Sequence, residues 1–585
     1  MLDGPDGDPA ALVETWLGRL ERAARARDAL APLFHSESFW RDAAALGPGL
    51  RTLCGPQAIA GALAPALAAA GAGGFVLDPD APPPARVQRV DRTCLEAFLR
   101  FETRPGRARA VLRLVAPAPG EPPRAWTLLT ALHELKGHEE RLGPRRPAGQ
   151  AESRDFRGPN WLDRRRAAQA FEDRDPAVLV VGAGQAGLAI AARLTALGVD
   201  TLVVDRHARV GDTWRRRYHA LTLHNQVQVN HLPYLPFPDT WPTYIAKDKL
   251  AGWLESYAEA MEINAWTGTE FLGAERAPSG AWQVRLRREG GAERTLSPRH
   301  VILATGVSGI PNRPEIPGLG SFRGRVLHSS DYRDGEDFSG RRALVIGTGN
   351  SGHDIAQDLW SSGAQATLVQ RSPTSVVNIE PSAQLPYAFY SDGPSTEICD
   401  LIAVSMPVPL LRRAHRGYTA RAQEMDAALL DGLRAKGFRL DFGEDGTGWQ
   451  FKYLARGGGY YFNVGCSDLI AEGEIGLVQA SDLAGFEADA AILADGRRLP
   501  LDLVVLATGY KGQEALVARL FGEAVAARVG PVWGFGDGLE LRNMFVPTPE
   551  PGLWFIAGSL AQCRIYSRYL ALQIKAQEEG IALPG

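Results

Sequence analysis

"VLVVGAGQAG", Val178–Gly187, is a β-branched apolar run that breaks into three glycines, and "ALVIGTGNSG", Ala343–Gly352, repeats the plan. In both, a strand-like run enters GxGxxG and a helical stretch leaves it. The first glycine permits a tight turn, the second lets backbone approach a pyrophosphate, and the third lets helix pack closely on strand. Gly182, Gly184, Gln185 and Gly187 are therefore predicted to hold one dinucleotide at a helix N-terminus, and Gly347, Gly349, Asn350, Ser351 and Gly352 a second. The strands that follow end differently. "TLVVDR" ends in Asp205 and Arg206, whereas the second unit has Gln370 at the aligned place, then Arg371 and Ser372. An acid accepts from ribose hydroxyls and repels a 2′-phosphate, while a neutral residue followed by arginine suits one. The first turn is read as FAD-binding and the second as NADPH-binding. Two such turns let one chain hold a flavin and receive hydride from a nicotinamide.

Two more buried strands end in Ala-Thr-Gly. "HVILATG" supplies Ala304, Thr305 and Gly306, and "DLVVLATGYKG" supplies Thr508, Gly509 and Tyr510. The expected fold class is α/β, with two Rossmann-like dinucleotide-binding domains for FAD and NADPH behind a small α+β domain. The first 146 residues run from a helical pattern to strand-like ones, in the pattern and length of the SnoaL-like cone, which they resemble. Their aromatics Trp16, Phe34, Phe39, Trp40, Phe98, Phe101 and Trp126 are expected in the core. The expected division is 1–146 SnoaL-like, 147–176 linker, 177–335 FAD-binding, 336–500 NADPH-binding with an insertion near 378–465, and 501–585 FAD-binding again.

Composition excludes several classes. With 45% apolar and 22% charged residues and a net charge of −3, the chain has no basic footprint for nucleic acid or a membrane surface. Its five cysteines are scattered without a CxxC or CxxxxC pair, so a redox-active disulfide is not expected. No metal-ligand pattern is read. Acids at the N-terminus and the lack of a long apolar run point to the cytoplasm. The expected partners are dioxygen and a small molecule, with neither nucleic acid nor membrane, and a homodimer is the expected assembly.

Between the ATG segments lies "FRGRVLHSSDYR", in which Phe322, Gly324, His328, Tyr332 and Arg333 fit FxGxxxHxxx(F/Y)(K/R). With "GDTWRRRYHALTLH", "LPYLPFP" and the terminal "GLWFIAGSLAQCRIYSRYLALQIKA", the chain from Val178 onward resembles the class B flavin-containing monooxygenases, including the plant YUCCA type and bacterial relatives. The resemblance implies that NADPH reduces FAD and that one atom of dioxygen reaches a small organic substrate through a flavin hydroperoxide. N- or S-oxygenation and YUCCA-like oxidative decarboxylation of a 2-oxo acid fit this reading. A Baeyer–Villiger enzyme, which has Trp at the place of Tyr332, and an NADPH oxidase or non-catalytic flavin redox sensor are the alternatives.

By the same resemblance Thr213 and Trp214 wall the flavin, and His224 with the following Asn225 stands where many relatives have an asparagine that positions NADP+ and the peroxide. Gly558 and Gln562 begin the last helix against the flavin ring. His328 is read as a linker residue coupling the halves rather than as an acid or base. The insertion is expected to cover the active site or an interface.

Overall fold

The computed structural model describes residues 7–26, 30–116, 121–148, 156–391 and 393–584. Residues 1–6, which include acids read as arguing against a leader, and 149–155 of the expected linker lie outside them.

The two glycine turns organise two five-stranded parallel sheets. In the first, the order is Ala265–Trp266, Thr201–Val204, Val178–Val181, His300–Leu303 and Leu553–Phe555. In the second it is Arg325–His328, Leu503–Leu506, Arg342–Ile346, Gln365–Gln370 and Gly476–Gln479. The central strands are buried along their length, which explains their unbroken Val/Leu/Ile runs. Sheet membership corrects the expected boundaries. Arg325–His328 and Leu503–Leu506 belong to the second sheet, since each pairs in parallel along its four residues with a neighbour there. The divisions at 335/336 and 500/501 therefore cut across hydrogen-bonded strands.

The first sheet's turn helix is Gln185–Ala196 and the second's is Asn350–Ser361. In both turns the first glycine has positive φ, +111° at Gly182 and +123° at Gly347, and the third lies against its carbonyl. A Cβ at Gly187 would stand 1.8 Å from the Gly182 oxygen, and one at Gly352 would stand 2.1 Å from the Gly347 oxygen. These approaches set helix on strand in both halves.

The halves meet through their ATG turns. Ile310–Pro311 pairs antiparallel with Tyr510–Lys511, the Asn312 N–H donates to the Gly509 carbonyl at 2.9 Å, and the Thr508 hydroxyl donates to the Asn312 carbonyl at 2.5 Å. Gln513 adds a bond to the Gly306 carbonyl at 2.9 Å.

Ahead of this lies a seven-stranded sheet with two helices, Pro9–Ala26 and Pro56–Ala70. Its strands are antiparallel except that Phe34–Ala43 and Arg124–Leu135 run parallel. All seven expected core aromatics are buried. The unit is not a separate bead. Ala43, Phe98, Val111 and Leu129 form one apolar cluster with Ile398, Ile402 and Val404 of the insertion and with Ile565 and Tyr569 of the terminal helix, Leu560–Glu578. The described part of the linker is partly helical, at Trp161–Ala170, started by an Asn160–Asp163 capping box. No described helix is long and apolar enough to cross a membrane.

Candidate functional site

A cavity of about 1650 Å³ opens beside the first glycine turn, beyond the roughly 300–1,000 Å³ of a pocket for one drug-sized ligand. Gly182, Gly184, Gln185, Asp205, Arg206, Thr213, Trp214, His224 and Asn225 line it, as do Ala304, Thr305, Gly306, Tyr510, Gly558 and Gln562. Gly187 does not: it is buried in the packing of helix on strand, so its place among the cofactor residues is corrected to a structural one.

The cavity side of the first turn fits a pyrophosphate. A Cβ on Gly184 would meet only the Thr213 Cγ2, at 3.7 Å, so the turn faces open space. The helix behind it presents its N-terminal N–H groups, and the Thr305 hydroxyl is buried at the cavity wall without a hydrogen-bond partner among the described residues. Asp205 ties the turn together, its carboxylate accepting from the Ala183 and His207 N–H groups at 2.8 Å each. Burial would raise its pKa, but the His207 side chain and these backbone donors outweigh that and hold it below the ordinary value. With the His207 Nδ1 also 2.9 Å from the carboxylate, most of its roughly four acceptor positions are occupied within the protein.

Side chains join three parts of this wall. The Trp214 indole N–H donates to Gln185 at 3.3 Å, and the Gln185 amide donates to the Gly558 carbonyl at 3.4 Å. Gln562 completes a capping box with Ser559, and its Oε1 also accepts the Tyr453 hydroxyl at 2.8 Å. Tyr453 belongs to Gly448–Arg456, a helix of the insertion. The insertion also supplies Phe462, whose ring meets His224 edge to face at 5.2 Å, and Tyr387, which lines the same cavity as Asn225. These tyrosines were missed in the sequence, where nothing distinguishes them from core aromatics.

His224 is held neutral, burial pushing its pKa down to about 4. Its carbonyl accepts from Gln384 at 3.1 Å, and no described residue hydrogen-bonds its ring. A neutral imidazole at the cavity wall offers one donor and one acceptor.

The second turn lies elsewhere. Gly347, Gly349, Asn350, Ser351, Gly352, Arg371, Ser372, Thr508 and Gly509 do not line this cavity, which ends on that side at Arg216, Arg217, Ser330, Arg333 and Tyr510. The strand Tyr460–Asn463 runs beside the N-terminus of the second turn helix: the Phe462 N–H donates to the Asn350 side chain at 3.1 Å, and a Cβ on Gly349 would lie 3.8 Å from the Tyr460 carbonyl. Gly352 packs helix on strand, and the Thr508 hydroxyl is spent on Asn312. Gln370 is fully buried, bonding Arg439 through both backbone groups at 2.8 and 2.9 Å. It braces the end of its strand. Arg371 and Ser372 are exposed beside it, and the Arg439 guanidinium donates to the Arg371 carbonyl at 2.7 Å. Arg439, 68 residues from Arg371, gave no signal in the sequence.

The linker motif reaches the first half through Arg333, whose carbonyl accepts the His219 N–H at 2.7 Å and whose guanidinium donates to the Arg216 carbonyl; its His328 and Tyr332 bonds lie within the second half. The His328 Nδ1 accepts from the Ser330 N–H at 3.1 Å, which leaves Nε2–H to donate to the Gly509 carbonyl at 3.1 Å. Tyr332 donates to Asp358 at 2.6 Å, and Tyr218 donates to Asp354 at 2.5 Å, one turn earlier on the second turn helix. His328 does not line the cavity. All five cysteines are free thiols, and only Cys54 is exposed.

Comparison with known proteins agrees with this arrangement. Residues 179–388 match the pyridine nucleotide-disulphide oxidoreductase family. The chain is 34% identical over 352 residues to indole-3-pyruvate monooxygenase YUCCA1 of Oryza sativa subsp. japonica, covering 60% of this chain and 80% of that one. The chain belongs to the class B flavin-containing monooxygenases. Probable indole-3-pyruvate monooxygenase YUCCA9 of Arabidopsis thaliana is 30% identical over 380 residues, 64% of this chain and 81% of that one. ε-Caprolactone-bound cyclohexanone monooxygenase shares the fold at 18% identity, with a TM-score of 0.51 over 69% of this chain and 88% of that one. The protein is thus an FAD- and NADPH-dependent monooxygenase that uses dioxygen and a small-molecule substrate.

Proposed function

We propose that this monooxygenase performs a YUCCA-like oxidative decarboxylation of an aromatic 2-oxo acid. The observation that carries the reading is the alignment with proteins named indole-3-pyruvate monooxygenases over about four-fifths of their length. The reaction balances as 2-oxo acid, dioxygen, NADPH and a proton giving the shortened carboxylic acid, carbon dioxide, NADP+ and water. Bound FAD supplies the redox chemistry, accepting hydride from NADPH and activating dioxygen.

In this reading the first turn and Asp205 hold FAD, with Trp214 as a wall. The terminal helix aims its N-terminus, at Gly558 and Ser559, toward the flavin, where its dipole favours negative charge. His224, neutral and with no described residue hydrogen-bonded to its ring, is the polar group offered to the reacting oxygen, with Asn225 next to it in the chain. Arg371 and Arg439 together form the 2′-phosphate contact of NADPH. The insertion aromatics around His224 keep water from the reacting atoms. Residues 1–146 are taken as a SnoaL-like unit, supported by two helices packed against one sheet.

The test is turnover of indole-3-pyruvate by the FAD-loaded chain with NADPH and isotopically labelled dioxygen. One labelled oxygen in the carboxylic acid, with carbon dioxide released in equal amount, is expected. NADPH consumption that ends wholly in hydrogen peroxide would overturn the reading.

A further inference from the structure

The family relatives align with 60–64% of this chain, yet the cavity is partly walled by residues outside the nucleotide-binding halves. Its outer end is bounded by Arg41, Leu50, Gln88, Arg89 and Val90 of the N-terminal unit, and by Met406, Val408, Leu411 and Tyr418 around the insertion helix Val408–Met425.

The N-terminal hairpin that reaches this wall is held there under strain. Arg89 pairs with Arg92 across a two-residue turn, and Val90 at its tip has φ +58°. A β-branched residue in the left-handed region is a costly choice where hairpins favour Asn or Gly. Strain of this kind persists where the surroundings enforce it. Here they do. Val90 packs with Met406 and Leu410 in one cluster, while Arg92 and Arg413 both pair with Glu37, at 2.7 and 2.9 Å.

The opposite side is pinned as firmly. Arg41 donates two bonds to Glu540, at 2.8 and 2.6 Å, and Thr52 donates a third at 2.8 Å. Glu540 sits on a segment in which Trp533, Leu539, Asn543 and Phe545 all have positive φ, and which lends Phe535, Leu541 and Phe545 to the cavity. The N-terminal unit thus clamps both flanks of the outer chamber.

Charge at this end is unbalanced. Arg89 and Arg113 share one carboxylate, that of Glu96: Arg89 binds it at 2.9 and 2.6 Å and Arg113 at 2.8 Å. Adding Arg92 and Arg413 with Glu37 and Asp91, which pair among themselves, leaves four guanidiniums against three carboxylates. Among the described residues the Arg89 Nη1 has only a 3.5 Å contact, with the neighbouring Gln88 carbonyl, a position from which a planar guanidinium binds an anion.

We propose that the N-terminal unit is part of the substrate site, and that the chamber takes a substrate with an extended apolar, ring-bearing body whose far end carries an anionic group against Arg89. The inference rests on the cavity serving as the monooxygenase's substrate site. It makes the preferred substrate a 2-oxo acid longer than indole-3-pyruvate, which carries a second acid group remote from the reacting carbon.

The test measures binding, which needs no chemistry and so is separate from the turnover test. ω-Phenylalkanoic acids of increasing chain length, and their carboxamides, are titrated calorimetrically into the FAD-loaded full chain. The acids are expected to bind about tenfold or more tightly than the amides once the chain is long enough, the increment of one charge-assisted contact. Arg89→Gln should erase that preference. Gln88→Trp, at an exposed strand position on the wall, should weaken the longest ligands and spare the shortest, and it serves if Arg89→Gln fails to fold. Equal binding of acid and amide at every length, or a preference that survives Arg89→Gln, would overturn the proposal.

Discussion

The two glycine turns share a backbone and differ in what stands in front of it. At the first, the second glycine faces open cavity, with Trp214 and Thr305 along the wall; at the second, the strand Tyr460–Asn463 stands beside the helix N-terminus and the equivalent of Asp205 is a buried glutamine bracing a strand end. The motif thus sets helix, strand and turn, but the segments packed around it decide how a nucleotide is approached. The first and third glycines do the same internal job in both halves. What separates one site from the other is what stands before the second glycine and the Asp205-for-Gln370 exchange at the end of the next strand.

This contrast can be broken most violently at the third glycine. Gly187→Val should prevent folding, since even a Cβ falls 1.8 Å from a carbonyl oxygen, an overlap well above the 1–3 kcal/mol of ordinary overpacking; soluble yield and thermal unfolding measure it. Removing residues 1–146 should come next, because it strips one side from the cluster shared with the insertion and terminal helix. Aggregated or flavin-free protein is expected, and a stable truncated chain with unchanged turnover would separate the N-terminal unit from the site. Gly184→Ala sharpens the comparison: with only Thr213 near the new methyl, the flavin-free protein should keep its melting temperature while flavin retention is lost. A yellow, fully loaded variant would contradict that.

Smaller effects test the second turn. Arg371→Ala should raise the Michaelis constant for NADPH but not NADH, by the equivalent of about 1.5–3 kcal/mol for a charge-assisted contact; equal changes for both nucleotides would remove the 2′-phosphate assignment. The smallest expected effect lies at the back of the first sheet. Glu578 is paired with Arg299 and His300. Burial would raise its pKa, but these partners hold it down at about 2. A depressed carboxylate stabilises the fold above its unfolded pKa of about 4.3 and loses that contribution as pH falls toward the folded value. Glu578→Gln should therefore flatten the fall in melting temperature between those two values, read by calorimetry.

Both turns, both ATG strands and the linker motif were legible because each is a short local pattern with a mechanical meaning. Asp205 was found by its spacing, although its bonds to Ala183 and His207 were not. What escaped was non-local. Tyr453 meets Gln562 across 109 positions and Arg41 meets Glu540 across 499, and neither pair leaves a periodic trace. The boundaries at 335 and 500 failed for a related reason: a strand's sheet is chosen by its partners rather than by its neighbours in sequence. Arg439 and the hairpin tip at Val90 were hidden in the same way.

The Arg41–Glu540 clamp also orders events in time. A chain made from its N-terminus exposes its early segments first, and the N-terminal seven-stranded sheet must wait for nearly the whole sequence before its far partner exists. The cluster of Phe98 and Val111 with Ile565 and Tyr569 stays open until the terminal helix has left the ribosome. The pocket, which takes wall residues as late as Tyr566, is therefore among the last features a newborn molecule acquires, and a stalled or shortened polypeptide carries an apolar face where the finished enzyme carries packed core.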